Sequence, residues 1–334
     1  MKTWEIRAIG GIDSLTPVDR PEPKAGPGQA VVRVRASSLN YRDLGTVRDP
    51  ASRGVTPPLV PNSDGAGEVL SVGAGVTRVK PGDRVAGCFF QRWTDGTMTP
   101  EASRSALGGD LPGMLAEQVV LAADGLVHVP AHLSFEEAAT LPCAALTAWR
   151  AVVEEGGGIK AGQQLLVVGT GGVAIFALQF ARLHGAEVTV VSSSDDKLAR
   201  AKVLGATAGI NYKKLPEWGK LVASEGGVDR VVETGGAGTL RQSADAVRMG
   251  GWIVLMGNLA NAAGATLPAP MIGKMITLKG IRVGSRVMFE AMNRAVAANL
   301  LHPVVDRVFD FEQAPDAFRA MESARHFGKL VIRV

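Results

Sequence analysis

Between residues 165 and 184 the chain passes from an apolar strand through a glycine turn into an apolar helix. That order restricts the possible folds more than any other stretch. Leu165-Leu166-Val167-Val168 is long enough for a buried parallel strand. Gly169, Gly171 and Gly172, with Thr170 among them, let the backbone turn tightly and leave no Cβ in the way of a ligand. The segment from Val173 to His184 is apolar all round, as a helix packed on a sheet would be. A helix that starts there points unpaired N–H groups at the turn, and such groups bind a pyrophosphate. The spacing is Gly169-x-Gly171-x-x-Ala174, the dinucleotide fingerprint with Ala in its third place. The competing reading is a strand–helix turn with no ligand. The ordered strand, turn and helix favour the fingerprint.

A chain of 334 residues has room for two domains. Its 46% hydrophobic and 20% charged content is that of a soluble globular protein. The net charge of +4 is spread along the chain, which suits an anionic cofactor. No basic run interleaves with aromatic residues, so nucleic acid is not an expected partner. The start, Met1-Lys2-Thr3-Trp4-Glu5-Ile6-Arg7, alternates and is charged, unlike a signal peptide. No apolar stretch is long enough to cross a bilayer, so no membrane association is expected. Two cysteines, Cys88 and Cys143, make a disulfide framework unexpected and point to a cytoplasmic, reduced setting.

Residues 1–130 read as β-rich. Gln29 to Arg35 alternates, Gly65 to Gly73 and Asp83 to Gly87 are short strands joined by the turn Lys80-Pro81-Gly82-Asp83, and Leu115 to Leu121 is another. Many short strands with few helices suggest a small barrel. The polar segment from Gln91 to Pro112 is long for a plain connection and reads as a surface lobe or a lid. From 131 to 280 the pattern changes. Phe135 to Ala139 and Ala144 to Val153 are helical in composition. Strands at Val188–Val191, Ala208–Tyr212, Val228–Glu233, Trp252–Met256 and Ile276–Ile281 then alternate with helices at Asp195–Leu204 and Thr239–Met249. With the strand before the glycine turn, this describes a doubly wound parallel sheet. Residues 281–334 end in the strand-like Gly328-Lys329-Leu330-Val331-Ile332-Arg333-Val334, expected to return to the first domain.

The second strand of the sheet speaks to the cofactor. NAD enzymes of this fold carry an Asp or Glu about 20 residues after the first glycine, bonded to the ribose hydroxyls. Here Val188-Thr189-Val190-Val191 ends in Ser192-Ser193-Ser194, with no carboxylate at the tip. Ser192 and Ser193 can donate to a 2′-phosphate. Lys197 supplies positive charge one turn on, and Tyr212 closes the third strand beside the same pocket. NADP(H) is therefore favoured over NAD(H). Asp195 and Asp196 stand against this unless they serve as acids at a helix N-terminus. Gly257 and Asn258 end the fifth strand, where a dinucleotide crosses the sheet.

Taken together, these features resemble the medium-chain dehydrogenase/reductase superfamily along essentially the whole chain. The motifs, in order, are Ser38-Leu39-Asn40-Tyr41-Arg42-Asp43, Pro61-Asn62-Ser63-Asp64-Gly65-Ala66-Gly67, Lys80-Pro81-Gly82-Asp83-Arg84-Val85, Leu141-Pro142-Cys143-Ala144-Ala145-Leu146-Thr147-Ala148-Trp149, and the glycine turn. The Asn-Tyr-Arg-Asp form is similar to the zinc-independent, quinone-oxidoreductase-like branch. The resemblance implies a GroES-like β-barrel catalytic domain, a doubly wound parallel-sheet Rossmann domain, NADP(H) in the cleft between them, hydride transfer and a homodimer. It also implies that Thr147 packs on the nicotinamide and that the backbone from Val283 to Ser285 holds the carboxamide.

Zinc members of the superfamily bind catalytic zinc through a Cys, a His next to a Glu, and a further Cys. Asn40 matches the first Cys, Ser63 and Asp64 match the His-Glu pair, and Cys143 alone is kept. The histidines, His128, His132, His184, His302 and His326, fall outside the motifs, so no zinc site is expected. Asn40, Tyr41 and Asp64 are the catalytic candidates, Asn40 as a donor to a carbonyl oxygen and Tyr41 as a proton source. Each reads equally well as a structural turn residue. The expected activity is reduction of a quinone or an α,β-unsaturated carbonyl by NADPH. A zinc-type alcohol dehydrogenase and a nucleotide-binding protein without turnover are the alternatives.

Overall fold

The computed structural model describes residues 1–257 and 268–334, so Asn258 lies outside the described residues. The chain divides into two compact units, Met1–Leu146 with Val283–Val334, and Thr147–Arg282. Residues 131–146, expected in the second domain, pack with the first unit.

The first unit opens with a hairpin of β1 (Lys2–Ile6) and β2 (Leu15–Asp19). Its main sheet is built on β3 (Gln29–Ser38), which pairs antiparallel with β4 (Asp64–Val72). Beyond β4 come β5 (Arg84–Gly87) and then β7 (Leu126–His128), while β6 (Gln118–Ala122) also pairs with β3. The chain end returns as β14 (Val305–Asp310) and β15 (Lys329–Arg333), with β15 antiparallel to β3, Val331 opposite Ser38. Alternation along β3 turns Ala30, Val32 and Val34 onto Val69, Val85, Leu121 and Leu126. Gly67 faces Val34 across the β3–β4 pair, and a Cβ there would stand 1.9 Å from the Arg33 carbonyl oxygen.

The polar segment from Gln91 to Pro112 is a packed lobe. Phe89, Phe90, Trp93 and Leu107 are buried, and Gln91 N–H donates to the Ser105 carbonyl. The N–H groups of Arg286 and Val287 donate to the carbonyls of Trp93 and Thr94 and pin the segment to the start of helix Arg286–Ala298.

The short helix Phe135–Ala138 starts on a reciprocal cap. Glu137 N–H donates to Ser134 Oγ at 3.2 Å, and Ser134 N–H donates to Glu137 Oε2 at 2.9 Å. Ser134→Ala should lower folding stability by about 1 kcal/mol, read from urea midpoints at constant m-value. An unchanged midpoint would show the cap to be redundant.

Among the described residues of the second unit all strand pairings are parallel. The strands are β8 (Gln164–Val168), β9 (Glu187–Ser192), β10 (Ala208–Asn211), β11 (Val228–Glu233), β12 (Val247–Leu255) and β13 (Thr277–Gly280), in the order β10-β9-β8-β11-β12-β13. This is the doubly wound order, with its reversal between β8 and β11. Leu165, Leu166 and Val167 are fully buried, as a central parallel strand requires. Helix Gly172–Leu183 packs Phe176 and Phe180 beneath Trp149, whose ring meets Phe180 edge-on at 5.4 Å. The helix expected over 239–249 stops at Ala246, and β12 begins at Val247. Val247 pairs with Val228, and Gly250 takes φ +71°, so pairing and a glycine turn override the helical pattern. Among the described residues no helix is long and apolar enough to cross a membrane.

Candidate cofactor and catalytic site

The glycine turn in the second unit is shaped as the fingerprint demands. Gly169 has φ +94°, a region open to glycine, and its N–H donates to the Val191 carbonyl at the tip of β9. Thr170 is buried, and Val173 is half-buried one position into the helix. Gly171 caps helix Gly172–Leu183 with no side-chain hydrogen bond, so the first N–H groups of that helix keep their donors. A Cβ on Gly171 would meet nothing within 4 Å. That open cradle, beside free helix N–H groups, fits a pyrophosphate. Ala174 is buried, consistent with close packing at the third place of the fingerprint.

At the neighbouring strand tip the buried Glu233 carboxylate organises the backbone. It accepts from Gly235 N–H at 2.7 Å, Gly236 N–H at 3.1 Å and Thr239 Oγ1 at 2.7 Å, and also from Ser243 Oγ. Thr234 Oγ1 donates to the Val168 carbonyl at 2.7 Å, tying this loop to the end of β8. Gly257 runs so near that a Cβ would stand 2.4 Å from the Thr234 carbonyl oxygen. Sequence reasoning had no signal for Glu233 beyond its position at a strand end.

Ser192 ends β9 opposite Asn211, and Tyr212 N–H donates to the Ser192 carbonyl at 3.0 Å. Ser192 is buried, Ser193 half-buried and Tyr212 exposed. Ser194 caps helix Asp195–Val203 and accepts from Lys197 N–H, so Lys197 stands in the first turn. Asp195 accepts from Lys214 Nζ at 2.7 Å and Asn211 Nδ2 at 2.8 Å, and these bonds hold its carboxyl below the usual range. Lys214 and Asn211 were not foreseen; they engage one of the two carboxylates that stood against a phosphate here, while Asp196 is exposed. Thr147, the first residue of this unit, is buried.

In the first unit, Asn40, Ser63, Asp64 and Cys143 come together around two residues that sequence reasoning left without a role, Asp43 and Lys329. Asp43 is fully buried. It accepts from Asn40 N–H at 2.8 Å, Ser63 N–H at 3.2 Å and Arg42 Nη1 at 3.2 Å. Burial raises its carboxyl, and the Arg42 guanidinium opposes that. Lys329, at the head of β15, donates from Nζ to the Leu39 carbonyl at 2.6 Å and to Asn40 Oδ1 at 2.6 Å. Asn40 Nδ2 donates to Ser63 Oγ at 3.3 Å, and Ser63 Oγ donates to Asp64 Oδ1 at 2.7 Å. Cys143 N–H donates to Asp64 Oδ2 at 3.1 Å from a π-type turn over Leu141–Ala145. Burial pushes the Asp64 carboxyl up to about 6, with Lys329 pulling against it. Burial lowers the Lys329 ammonium and raises the Cys143 thiol.

Both newcomers had a trace in the sequence. Asp43 stands three residues after Asn40, as a capping carboxylate does. Lys329 is a charge leading the buried apolar run Leu330-Val331-Ile332. The candidates separate differently from the expectation. Asn40 and Asp64 share the cluster, whereas Tyr41 is exposed and interacts with Arg48. Val283 and Ser285 are buried in the same unit as the cluster. Ser285 Oγ accepts from Met288 N–H and caps helix Arg286–Ala298.

The three positions matched to zinc ligands present an amide held by Lys329, a hydroxyl that donates to Asp64, and only one sulfur, that of Cys143. That donor set does not fit catalytic zinc, which takes thiolate, imidazole or carboxylate. Among the described residues no group of three or more His, Cys, Asp or Glu is placed to hold a metal ion.

Residues 26–131 match the alcohol dehydrogenase GroES-like domain, and residues 172–298 match the zinc-binding dehydrogenase family. The latter range contains none of the three matched ligand positions. A zinc-type alcohol dehydrogenase-like protein of Schizosaccharomyces pombe is 44% identical, with 98% of this chain and 97% of that protein covered. A solved NAD-dependent alcohol dehydrogenase is 34% identical and superposes with a TM-score of 0.90 over 100% of both chains. The 2-octenoyl-CoA carboxylase reductase CinF, solved with NADP and 2-octenoyl-CoA, is 27% identical with a TM-score of 0.90, covering 99% of this chain and 87% of that one. With a GroES-like unit, a doubly wound parallel sheet and relatives along its full length, this chain belongs to the medium-chain dehydrogenase/reductase superfamily and is an oxidoreductase of its alcohol dehydrogenase-like kind.

Proposed function

We propose that this oxidoreductase works without zinc and passes hydride from NADPH to a quinone or an α,β-unsaturated carbonyl. The observation that carries the reading is the Asn40–Ser63–Asp64–Lys329 cluster, which fills the matched metal pocket with hydrogen bonds and leaves no ligand set. Support for the substrate class comes from CinF, a neighbour solved with NADP and an enoyl thioester.

When bound, the nicotinamide supplies the hydride; the chain binds, orients and surrounds the reactants. The helix N–H groups at Gly171 hold the pyrophosphate. Ser193, Lys197 and Tyr212 favour a 2′-phosphate. In the first unit Asn40 presents a fixed amide, and burial pushes the Asp64 carboxyl up to about 6. After hydride delivery to an enone or quinone, the remaining proton can come from solvent.

The test is NADPH and NADH oxidation against a panel of quinones and enones, on protein of measured metal content. Turnover with NADPH, less than about one-tenth equivalent of zinc per chain, and insensitivity to chelators are expected. The second reading, a zinc-type alcohol dehydrogenase, is favoured by the kind of relative found in S. pombe. About one zinc per chain, lost together with activity on chelation, would establish that reading in place of ours.

A further inference from the structure

The buried cluster is a one-way string of hydrogen bonds. It starts at an ammonium and ends at a carboxylate. Lys329 Nζ can only donate, so Asn40 must turn Oδ1 toward it. That fixes the amide: the Nδ2 edge faces Ser63, whose hydroxyl then donates to Asp64. Reversing Asn40 would set two donors against each other at 2.6 Å, inside a site where Lys329 is 2% exposed. The second Lys329 bond, to the Leu39 carbonyl, holds the backbone just before Asn40. Asp43 fixes Asn40 N–H from the other side. Within the string Asn40 is 8% exposed, whereas Ser63 and Asp64 are fully buried. Asn40 is therefore where the string reaches the edge of the cluster.

We propose that Lys329 is a positioning residue that locks the Asn40 amide in one orientation and so sets the polarity of the Asn40–Ser63–Asp64 string. The kinetic arm of its test rests on the reductase reading above; the spectroscopic arm does not. The direction of the string matters because hydrogen bonds in a chain polarise one another. With the ammonium gone, Asn40 is free to flip, Ser63 can turn its hydroxyl, and the group offered at the edge of the cluster changes from donor edge to a mixture.

The experiment uses the full chain as wild type, Lys329→Met and Lys329→Arg. Its first readout is the Asn40 side-chain amide in nitrogen–proton spectra, identified by its loss in Asn40→Asp. In wild type that amide should exchange with solvent at least about tenfold more slowly than an exposed Asn amide, because its edges are held. Lys329→Met should abolish the protection, and Lys329→Arg should keep it. The second readout is kinetic. Lys329→Met should lower kcat for the best panel substrate by about tenfold or more, with NADPH affinity within about twofold of wild type, and Lys329→Arg should recover most of the loss. An Asn40 amide that exchanges at the exposed rate in wild type overturns the proposal, even if Lys329→Met proves too unstable to study. Equal protection in wild type and Lys329→Met overturns it as well. A wild type inactive across the panel, with the amide behaving as expected, counts against the reductase reading and leaves the positioning role supported.

Discussion

Gly171→Val should bind NADPH more weakly by roughly 2 kcal/mol or more, about thirtyfold, in a chain that still folds. Two features of the turn separate binding from folding. The backbone at Gly171 is extended, with φ −79° and ψ −173°, which any residue adopts. A Cβ there meets nothing within 4 Å, so the valine clashes with no protein atom at its branch point. The space it enters is the one a pyrophosphate needs in order to reach the helix N–H groups. The loss is therefore steric exclusion of the ligand. The folding cost is a modest one, because glycine is the better N-cap by several tenths of a kcal/mol to about 1 kcal/mol. Gly169 supplies the contrast. At φ +94° a side chain strains the backbone itself, so Gly169→Val should lower the melting temperature before any ligand is added. Titration of NADPH fluorescence alongside thermal melts separates the two. Unaltered NADPH affinity in a folded Gly171→Val protein would remove the glycine turn from the cofactor site.

The halves of the molecule were unequally legible in the sequence. Nucleotide binding uses backbone, and backbone requirements leave marks in residue type. Gly169 and the run Leu165–Val168 announce a strand and a left-handed turn, and the observed β8 and helix Gly172–Leu183 agree within a residue. The candidate cluster draws on β4 and the residue before it, β15, the cap and first turn of helix Tyr41–Arg48, and the backbone of the turn at Cys143. Asp43 and Lys329 lie 286 positions apart, and the antiparallel pairing of β15 with β3 is what brings Lys329 beneath Asn40. No local pattern encodes that pairing, so the motifs gave Asn40 and Asp64 while their partners stayed hidden. The same motifs placed Tyr41 beside Asn40, but a helical turn sends adjacent side chains in different directions. Tyr41 faces outward while Asp43 faces inward. The overrun of the helix after Thr239 has the opposite cause: its composition is helical, and a long-range strand pairing to β11 wins.

Lys197→Ala should weaken NADPH by about tenfold to a hundredfold and leave NADH nearly unchanged. The estimate follows from the roughly 1.5–3 kcal/mol carried by a hydrogen bond to a charged group. The pocket edge is assembled by the parallel sheet. Asn211 sits in register with Ser192, and Tyr212 N–H donates to the Ser192 carbonyl, so the third strand ends directly beside the second. Helix Asp195–Val203 rises from the same tip, with Lys197 in its first turn and the helix N-terminus adding partial positive charge. The obstacles are Asp195 and Asp196, carboxylates in the first turn of the same helix. The Asp195 oxygens are taken up by Lys214 and Asn211, so its charge is already compensated from the β10 side. In the proposed reading Lys197 is the cation that would distinguish a 2′-phosphate from a 2′-hydroxyl, because NADH offers it no charge to meet. The quantity to measure is the NADPH/NADH ratio of dissociation constants in wild type and Lys197→Ala. It should rise by the full factor, with the NADH constant fixed. The measurement belongs at low and moderate salt, because an exposed contact of this kind is screened over about 10 Å at 0.1 M ionic strength and the selectivity should shrink as salt is added. A wild type that prefers NADH, or a variant that loses both cofactors equally, places the adenosine pocket's selectivity elsewhere than Lys197.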